Sequence, residues 1–383
     1  MAPLPWYNSR VNGSGSGLSA ISLFSGIGGL DAGVTAAGFD VRVAVEYDRD
    51  SAASLRANHF VGAEDRVIER SILAVSTAEI LERGGLRAGE LSLVVGGPPC
   101  TPFSKSGYWL EYKRKGLDPN ASLIDEFARV VREARPEVAL LENVHGLAYR
   151  NHNAIPFARL LAQLRDAGYG VAYRVLSAAD YGVPQLRKRL VVYAVRGGTP
   201  PPFPTPTHSG WSETRRSVDA SLAPYVTSRQ AIGDLEDRDD LMEAEEQVGG
   251  KYGDLLPLIP PGDNYLFLTA KRGYPDPRFE WRTRYWTFLL KLDPDRPSTT
   301  IQSQPGPYIG PFHWRNRRLR LLEAMRLQTF PDDYVVIGNR RSAQVQVGNA
   351  VPPLLAEVAA RPLAELVLAK DVARLDQRLV RTA

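Results

Sequence analysis

Two segments, LSLVVGG (91–97) and VALLENV (138–144), are apolar at consecutive positions rather than at alternate ones. A strand of that kind is covered on both faces, which places it inside a parallel sheet flanked by helices. AISLF (20–24), VRVAVE (41–46), VAYRVLS (171–177) and RLVVYAV (189–195) read as further strands. SLIDEFARVVREARP (122–136) and AIPFARLLAQLRDAG (154–168) read as helices. In the first of these, Ser122 and Asp125 make a capping-box-like start, Ile124, Phe127, Ala128 and Val131 share one face, and Pro136 is the stop. Strands alternating with helices predict a doubly wound α/β sheet.

The chain has 383 residues, more than one hydrophobic core usually serves, so a large domain and a smaller one are expected. Residues 1–17 end in GSGSG and read as a flexible lead-in. After Val195 the character changes. GGTPPPFPTPTHSG (197–210) is a proline-rich boundary, and periodicity stays poor until about Leu319, as in a loop-built recognition module. VPPLLAEVAARPLAELVLAKDVARLDQRL (351–379) is helical again, with Pro362 expected to kink or break it.

Composition excludes several classes. An apolar content of 44% against 23% charged residues excludes a mainly disordered chain. No charge-free run of 18 apolar residues offers a membrane span, and the first residues lack the pattern of a secretory signal. Cys100 is the single cysteine, which excludes an intramolecular disulfide framework or a Cys-rich zinc module and suggests a reducing, cytoplasmic setting. A net charge of +4 permits nucleic-acid binding without arguing for it. Distribution says more: 234–246 is an acidic block that reads as solvated surface, whereas Lys251 to Arg320 is basic and aromatic.

Four constellations carry chemistry. FSGIGG (24–29) joins the first strand to a helix, so its amides can approach a ligand. A dinucleotide fingerprint would need glycine where Asp31 stands, so a nucleoside cofactor without a pyrophosphate fits better, with Glu46 placed to accept from ribose hydroxyls. GGPPCTPFSKSG (96–107) puts Cys100 at the carboxyl end of the sheet, and the loop 101–122 carries Lys105, Lys113, Arg114 and Lys115 as a flap for phosphates. LLENVHG (140–146) delivers Glu142, a carboxyl group whose pKa a cleft would raise. In GVPQLRKRL (182–190), alternation sets Gln185, Arg187 and Arg189 on one side, either to meet a base edge and a carboxylate or as the wet face of an edge strand. A nucleophilic Cys, an acid, an arginine pair and a nucleoside site together suggest attack on an electron-poor ring.

In this order the motifs resemble the C5-cytosine DNA methyltransferases, from about Ala20 to Pro353. The matching pieces are FSGIGG, Glu46–Tyr47–Asp48 with Ala52 and Asn58, GGPPC, ENV, QLRKR, RPSTTI (296–301), RRLRLLEAMRLQTFPDDY (317–334) and VGNAVPP (347–353). The resemblance implies a Rossmann-like methyltransferase sheet with helices on both faces plus a smaller, irregular target-recognition domain. It implies S-adenosylmethionine as cofactor, held by Phe24, Gly26, Ile27, Gly28, Gly29, Glu46, Tyr47, Ile72 and Pro98, with Asn349 and Val351 folding back beside the first strand. Cys100 would add to C6 of a flipped-out cytosine, Glu142 would contact N3 and the exocyclic amine, Arg189 would bind the base and Arg187 would support Glu142. Catalytic residues would then lie in 18–195 and 346–383, with 196–345 reading duplex DNA. Expected nucleic-acid contacts are Ser104, Lys105, Ser106, Gln185, Lys271, Arg272, Arg282, Arg284 and Thr300, arginines being suited to guanine edges.

The partners implied are double-stranded DNA and a cognate restriction endonuclease, with no membrane and a monomer on DNA. Two positions depart from the family pattern. Arg70–Ser71–Ile72 stands where an Asp usually precedes the Ile, leaving Asp65 or Glu69 as the acceptor for adenine, and Thr101–Pro102 follows the nucleophile where Gln is frequent. An RNA-directed enzyme of the same family and an inactive DNA-binding homologue are the competing readings.

Overall fold

The computed structural model describes residues 17–60, 62–99, 123–149, 154–210 and 219–382. Its main strands are β1 (Ser19–Leu23), β2 (Asp40–Glu46), β3 (Val67–Glu69), β4 (Leu93–Gly96), β5 (Val138–Val144), β6 (Tyr169–Ser177), β7 (Gln185–Leu186) and β8 (Lys188–Arg196). The helices that matter here are α1 (Gly29–Ala36), α2 (Arg49–His59), α3 (Thr77–Gly84), α4 (Leu123–Ala134), α5 (Ala154–Asp166), α6 (Leu321–Leu327), α7 (Arg340–Asn349) and α8 (Pro353–Thr382).

Seven strands form one sheet in the order β3-β2-β1-β4-β5-β8-β6. The five from β3 to β5 are parallel, as their unbroken apolar runs require, and the order reverses between β1 and β4, where ligands of open sheets bind. β8 instead lies antiparallel to both β5 and β6. It follows β6 after a short excursion with no crossover helix, and antiparallel pairing is what such a link permits.

Helices cover both faces. Ile80 of α3, Phe127 and Val131 of α4 and Leu160 of α5 pack with Ile21, Val43, Val94 and Leu141 on one side. Leu30 and Val34 of α1 and Leu355, Ala359 and Leu363 of α8 pack with Ala20, Leu93 and Leu140 on the other. Gly33 permits the close approach of α1 to α8: a Cβ there would stand 2.5 Å from the Pro353 carbonyl oxygen. α4 ends at Ala134, and Arg135 turns to φ 51 just before Pro136, which disfavours helical geometry at its predecessor. α8 runs through Pro362 without the break that is one of the two expected outcomes. Burial of Ala359, Ala360, Leu363 and Ala364 on either side of the proline holds the turn that the missing N–H weakens.

Among the described residues the segment after Arg196 is built from short 3₁₀ turns, two-residue strands and one five-residue helix (Ser228–Ile232) until α6. One of its apolar clusters (Leu256, Tyr265, Leu268, Phe288, Phe312) is local, while the other joins Ile232, Ile301, Met325, Phe330 and Val347 to Ile27 in the β1–α1 turn. The segment therefore sits on the carboxyl edge of the sheet. The acidic block 234–246 is largely exposed, as expected of a surface segment, but several of its carboxylates are paired. Asp234 pairs with Arg326 at 2.7 Å, Glu236 with Arg315, Glu243 with Arg340 at 2.5 Å and the buried Glu246 with Arg320 at 2.6 Å. These carboxylates neutralise arginines that the sequence places 74 to 97 residues later, a match that local pattern cannot reveal. Among the described residues no helix is long and apolar enough to cross a membrane.

Candidate active site

The glycine-rich turn leaves β1 with Phe24, Gly26 and Gly28 all at positive φ (57, 57 and 86). That path turns the Gly26 amide toward Glu46, whose carboxylate accepts from Gly26 N and Asp48 N, both at 2.7 Å. Burial raises the Glu46 pKa against the opposing pull of those amides. Each oxygen keeps a lone pair for a further donor. Among the described residues beyond its chain neighbours, nothing lies within 4 Å of where a Gly26 Cβ would be, and the neighbouring Tyr47 ring is 78% exposed. An open glycine backbone, a carboxylate acceptor and a free aromatic face fit a nucleoside with a ribose and a planar base.

Other expected cofactor residues divide. Gly28 meets the His59 ring and Gly29 the Val351 backbone, so both serve close packing, and the exposed Asn349 lies two residues before Val351. Ile27 is buried in the cluster shared with Phe330 and Met325, and Ile72 is buried in the core below α3. Ser71 caps a short 3₁₀ turn rather than presenting an acid. Glu69 stands in register with Glu46 but is held by Arg56 at 2.7 Å, whereas Asp65 is exposed. Asp31, which stands where a dinucleotide fingerprint would have glycine, is fully buried in the first turn of α1, with neither carboxyl oxygen in a hydrogen bond. Burial pushes its pKa up to about 7, and the nearby Ser22 hydroxyl, which faces Ser25 Oγ at 2.8 Å, only partly relieves this.

The second half of the site lies at the ends of β4 and β5. Asn143 Nδ2 donates to the carbonyl of the buried Pro98 at 3.0 Å, and a Cβ on Gly97 would stand 3.3 Å from Glu142 Oε2. The chain thus leads from Gly97 past the Glu142 carboxyl, and Pro99 is exposed. Cys100, Ser104, Lys105 and Ser106 lie outside the described residues, as do Thr101, Pro102, Lys113, Arg114, Lys115 and Ser122. Glu142 is buried, and Arg189 Nε reaches its Oε1 at 2.6 Å. Burial raises the Glu142 pKa, with Arg189 and then Arg187 opposing the rise. Arg187 is itself fully buried and donates to the carbonyls of Gly348 and Ala350 at 3.0 Å, tying the β7–β8 junction to the segment that precedes α8.

Gln185 does not present a base-reading edge, and the stretch is not the wet face of an edge strand. Gln185 is fully buried; its Nε2 donates to Leu327 O and Gln328 Oε1, and its Oε1 accepts from Ile301 N. The reason is that β7 pairs with the short strand Ser298–Thr299 of RPSTTI, which covers it. Thr300 Oγ1 likewise donates to Leu186 O. In the basic stretch, Arg272 is held by Asp263 at 2.6 Å and Arg278 by Asp276 at 2.7 Å. Lys271 and Arg282 instead flank the Trp281 ring, at 4.6 and 5.8 Å from its centroid, and Arg284 Nη2 donates to Tyr252 Oη. Tyr285 and Trp286 are exposed beside them.

Comparison with known proteins places these features in a family. The model of the C-5 cytosine-specific DNA methylases matches residues 18–365. The chain is 49% identical to the type II methyltransferase M.SacI of Streptomyces achromogenes over 370 residues, covering 91% of this chain and 93% of that protein. It is 31% identical to the type II methyltransferase M1.HphI of Haemophilus parahaemolyticus over 360 residues, 92% and 87% of the two chains. Its fold matches a solved prophage-encoded protein of E. coli with a TM-score of 0.62 at 23% identity, over 91% and 99% of the chains. The Entamoeba histolytica methyltransferase EhMeth shares the fold with a TM-score of 0.58 at 16% identity, over 91% and 98%. The Gly-rich turn beside Glu46 and the paired Glu142 and Arg189 are therefore parts of a methyltransferase: the chain belongs to the family of C-5 cytosine-specific DNA methylases.

Proposed function

We propose that the chain methylates C5 of a cytosine flipped out of one short duplex DNA sequence, through a covalent bond between Cys100 and C6. The observation that carries this reading is the buried Glu142 carboxyl, held by Arg189 and flanked by the backbone that leads to Cys100. C5 of cytosine is a poor nucleophile by itself, and splitting the reaction into addition and elimination lowers the barrier. Cys100 Sγ adds to C6 as thiolate while Glu142, protonated more readily because it is buried, gives its proton to N3 and contacts the exocyclic amine. Arg189 orients Glu142 and the base, and Arg187, just before the strand that carries Arg189, supports Glu142 and the site. S-adenosylmethionine, held by Phe24 to Gly29, Glu46, Tyr47 and Val351, supplies an electrophilic methyl group for C5. Loss of the C5 proton, elimination of Cys100 and return of the N3 proton to Glu142 release 5-methylcytosine.

Residues 18–195 with 346–383 act as the catalytic domain and 196–345 as the target-recognition domain, with Lys271, Arg282 and Arg284 facing DNA. Relatives named as type II methyltransferases support a place beside a cognate restriction endonuclease; action on chromosomal DNA as a monomer completes the proposal. The test is bisulfite sequencing of DNA from a methylation-free host expressing this chain or its Cys100→Ala variant. Protected cytosines in one motif, lost in the variant, are expected. Protection that persists in the variant overturns the covalent step, and none in the wild type turns the reading to an RNA substrate or an inactive DNA-binding homologue.

A further inference from the structure

We propose that Tyr334 and His59 are positioning residues that set the peptide plane inside the glycine-rich turn, and that this inference rests on the reading of that turn as the S-adenosylmethionine site. The carbonyl of Ile27 belongs to the Ile27–Gly28 peptide, which turns about ψ of Ile27 and φ of Gly28, and Gly28, like Gly26 before Ile27, is at positive φ, where glycine is permissive. Within the turn, Gly28 N donates to Ser25 O at 2.9 Å and Gly26 N to Glu46, but the Ile27 carbonyl accepts from Tyr334 Oη, a residue 307 positions away. Tyr334 Oη is also 2.8 Å from His59 Nε2. A phenol has one proton, and here it goes to Ile27 O, so His59 must donate from Nε2. Burial lowers the His59 pKa to about 4, which keeps the ring neutral and in that single tautomer at neutral pH.

Two rings, those of His59 and Phe330, pack on the turn. A Cβ on Gly28 would stand 2.6 Å from His59 Nε2, and one on Gly29 would stand 2.9 Å from the Phe330 ring. Tyr334 is in contact with both rings, 5.7 Å from His59 and 4.8 Å from Phe330 between centroids. Nor is Tyr334 free to drift. One face of α2 is bonded to the chain that follows it: Asn58 exchanges two hydrogen bonds with the Val335 backbone at 2.7 and 2.9 Å, Ser54 Oγ accepts from Ile337 N at 2.8 Å, and Ser342 Oγ donates to Asp50 at 2.6 Å. Asp50, Ser54 and Asn58 recur at intervals of four, so α2, which begins just past Glu46 and Tyr47, and residues 334–342 form one rigid support. The hydroxyl of Tyr334 is the point where that support grips the loop.

Without it the Ile27–Gly28 peptide can rotate, and a ligand that needs one orientation must order the loop as it binds. Calorimetric titration of the full chain with S-adenosylmethionine in the absence of DNA tests this. Tyr334→Phe and His59→Leu are expected to weaken binding roughly tenfold, the value of one ordinary net hydrogen bond. KM for the cofactor should rise in step while kcat at saturation holds. His59→Gln, which keeps a donor near the Nε2 position, should bind within about twofold of wild type. Wild-type affinity in Tyr334→Phe overturns the proposal, as does a loss of kcat and thermal stability together with affinity, which marks a merely structural contact. Absence of cofactor binding in the wild type itself defeats the reading of the site, and the inference with it.

Discussion

Arg189 Nε stands 2.6 Å from Glu142 Oε1, where β8 runs antiparallel beside β5 and sets Arg189 opposite Val144, two residues beyond the glutamate. Both side chains are nearly buried, so each is the other's main compensation for lost water. Arg189→Ala is expected to lower unfolding free energy by about 3 kcal/mol, because it strands a buried carboxylate. Glu142→Gln should cut methyl transfer at least about a hundredfold. Adding Glu142→Gln to Arg189→Ala should recover part of the lost stability, since the stranded charge is then gone. Urea titration of the three variants decides: a double variant less stable than Arg189→Ala refutes the charge argument.

Asp31 gives the protein a pH dependence of known sign. Its folded pKa, about 7, lies above the ordinary 3.8, so the folded state binds the proton more tightly than the unfolded chain. Its favourable contribution is complete below pH about 4 and is lost as pH rises through about 7. Asp31→Asn lacks that term. Relative to the variant, the wild type should lose up to about 4 kcal/mol between pH 4 and pH 8, at 1.36 kcal/mol per unit. Urea midpoints of both proteins at the two pH values measure it, and a constant gap would refute the buried neutral carboxyl.

Two glycines, one just before α1 and one within it, should separate stability from ligand binding. Gly26→Ala meets no atom of the described residues within 4 Å but must hold φ 57, a cost of about 1 kcal/mol, and on the proposed reading its methyl enters the space for the cofactor. Folding should survive and cofactor affinity should fall. Gly33→Ala drives a methyl to 2.5 Å from Pro353 O and 2.6 Å from Glu357 N, backbone atoms that cannot turn aside. About 2–3 kcal/mol of stability should be lost through the α1–α8 packing. Equal melting temperatures for the two variants would contradict this division.

Cations already paired and cations left to DNA should differ in salt dependence. Lys271→Ala, Arg282→Ala and Arg284→Ala should each reduce the slope of log K against log salt by up to about 0.9 for every phosphate the variant no longer neutralises. Arg272→Ala and Arg278→Ala, whose guanidiniums already meet Asp263 and Asp276, should leave that slope nearly unchanged. The DNA-facing assignment fails if Arg272→Ala has the larger effect.

Local pattern alone determined the parallel part of the sheet, because burial on both faces leaves consecutive apolar residues in LSLVVGG and VALLENV, and strand ends followed by glycine or carboxylate mark where ligands gather. It also placed Glu46 and Glu142 at those ends, since a strand has only one exit. What pairs with what was decided by the tertiary structure. The antiparallel insertion of β8 brings Arg189 to Glu142, and the pairing of β7 with Ser298–Thr299 buries Gln185, which alternation alone had left free for a base. The acidic block found its arginines, and Tyr334 found both His59 and Ile27, across 74 to 307 residues. No periodicity of 2 or 3.6 residues encodes partners at such distances; they follow from which surfaces meet once the core has closed.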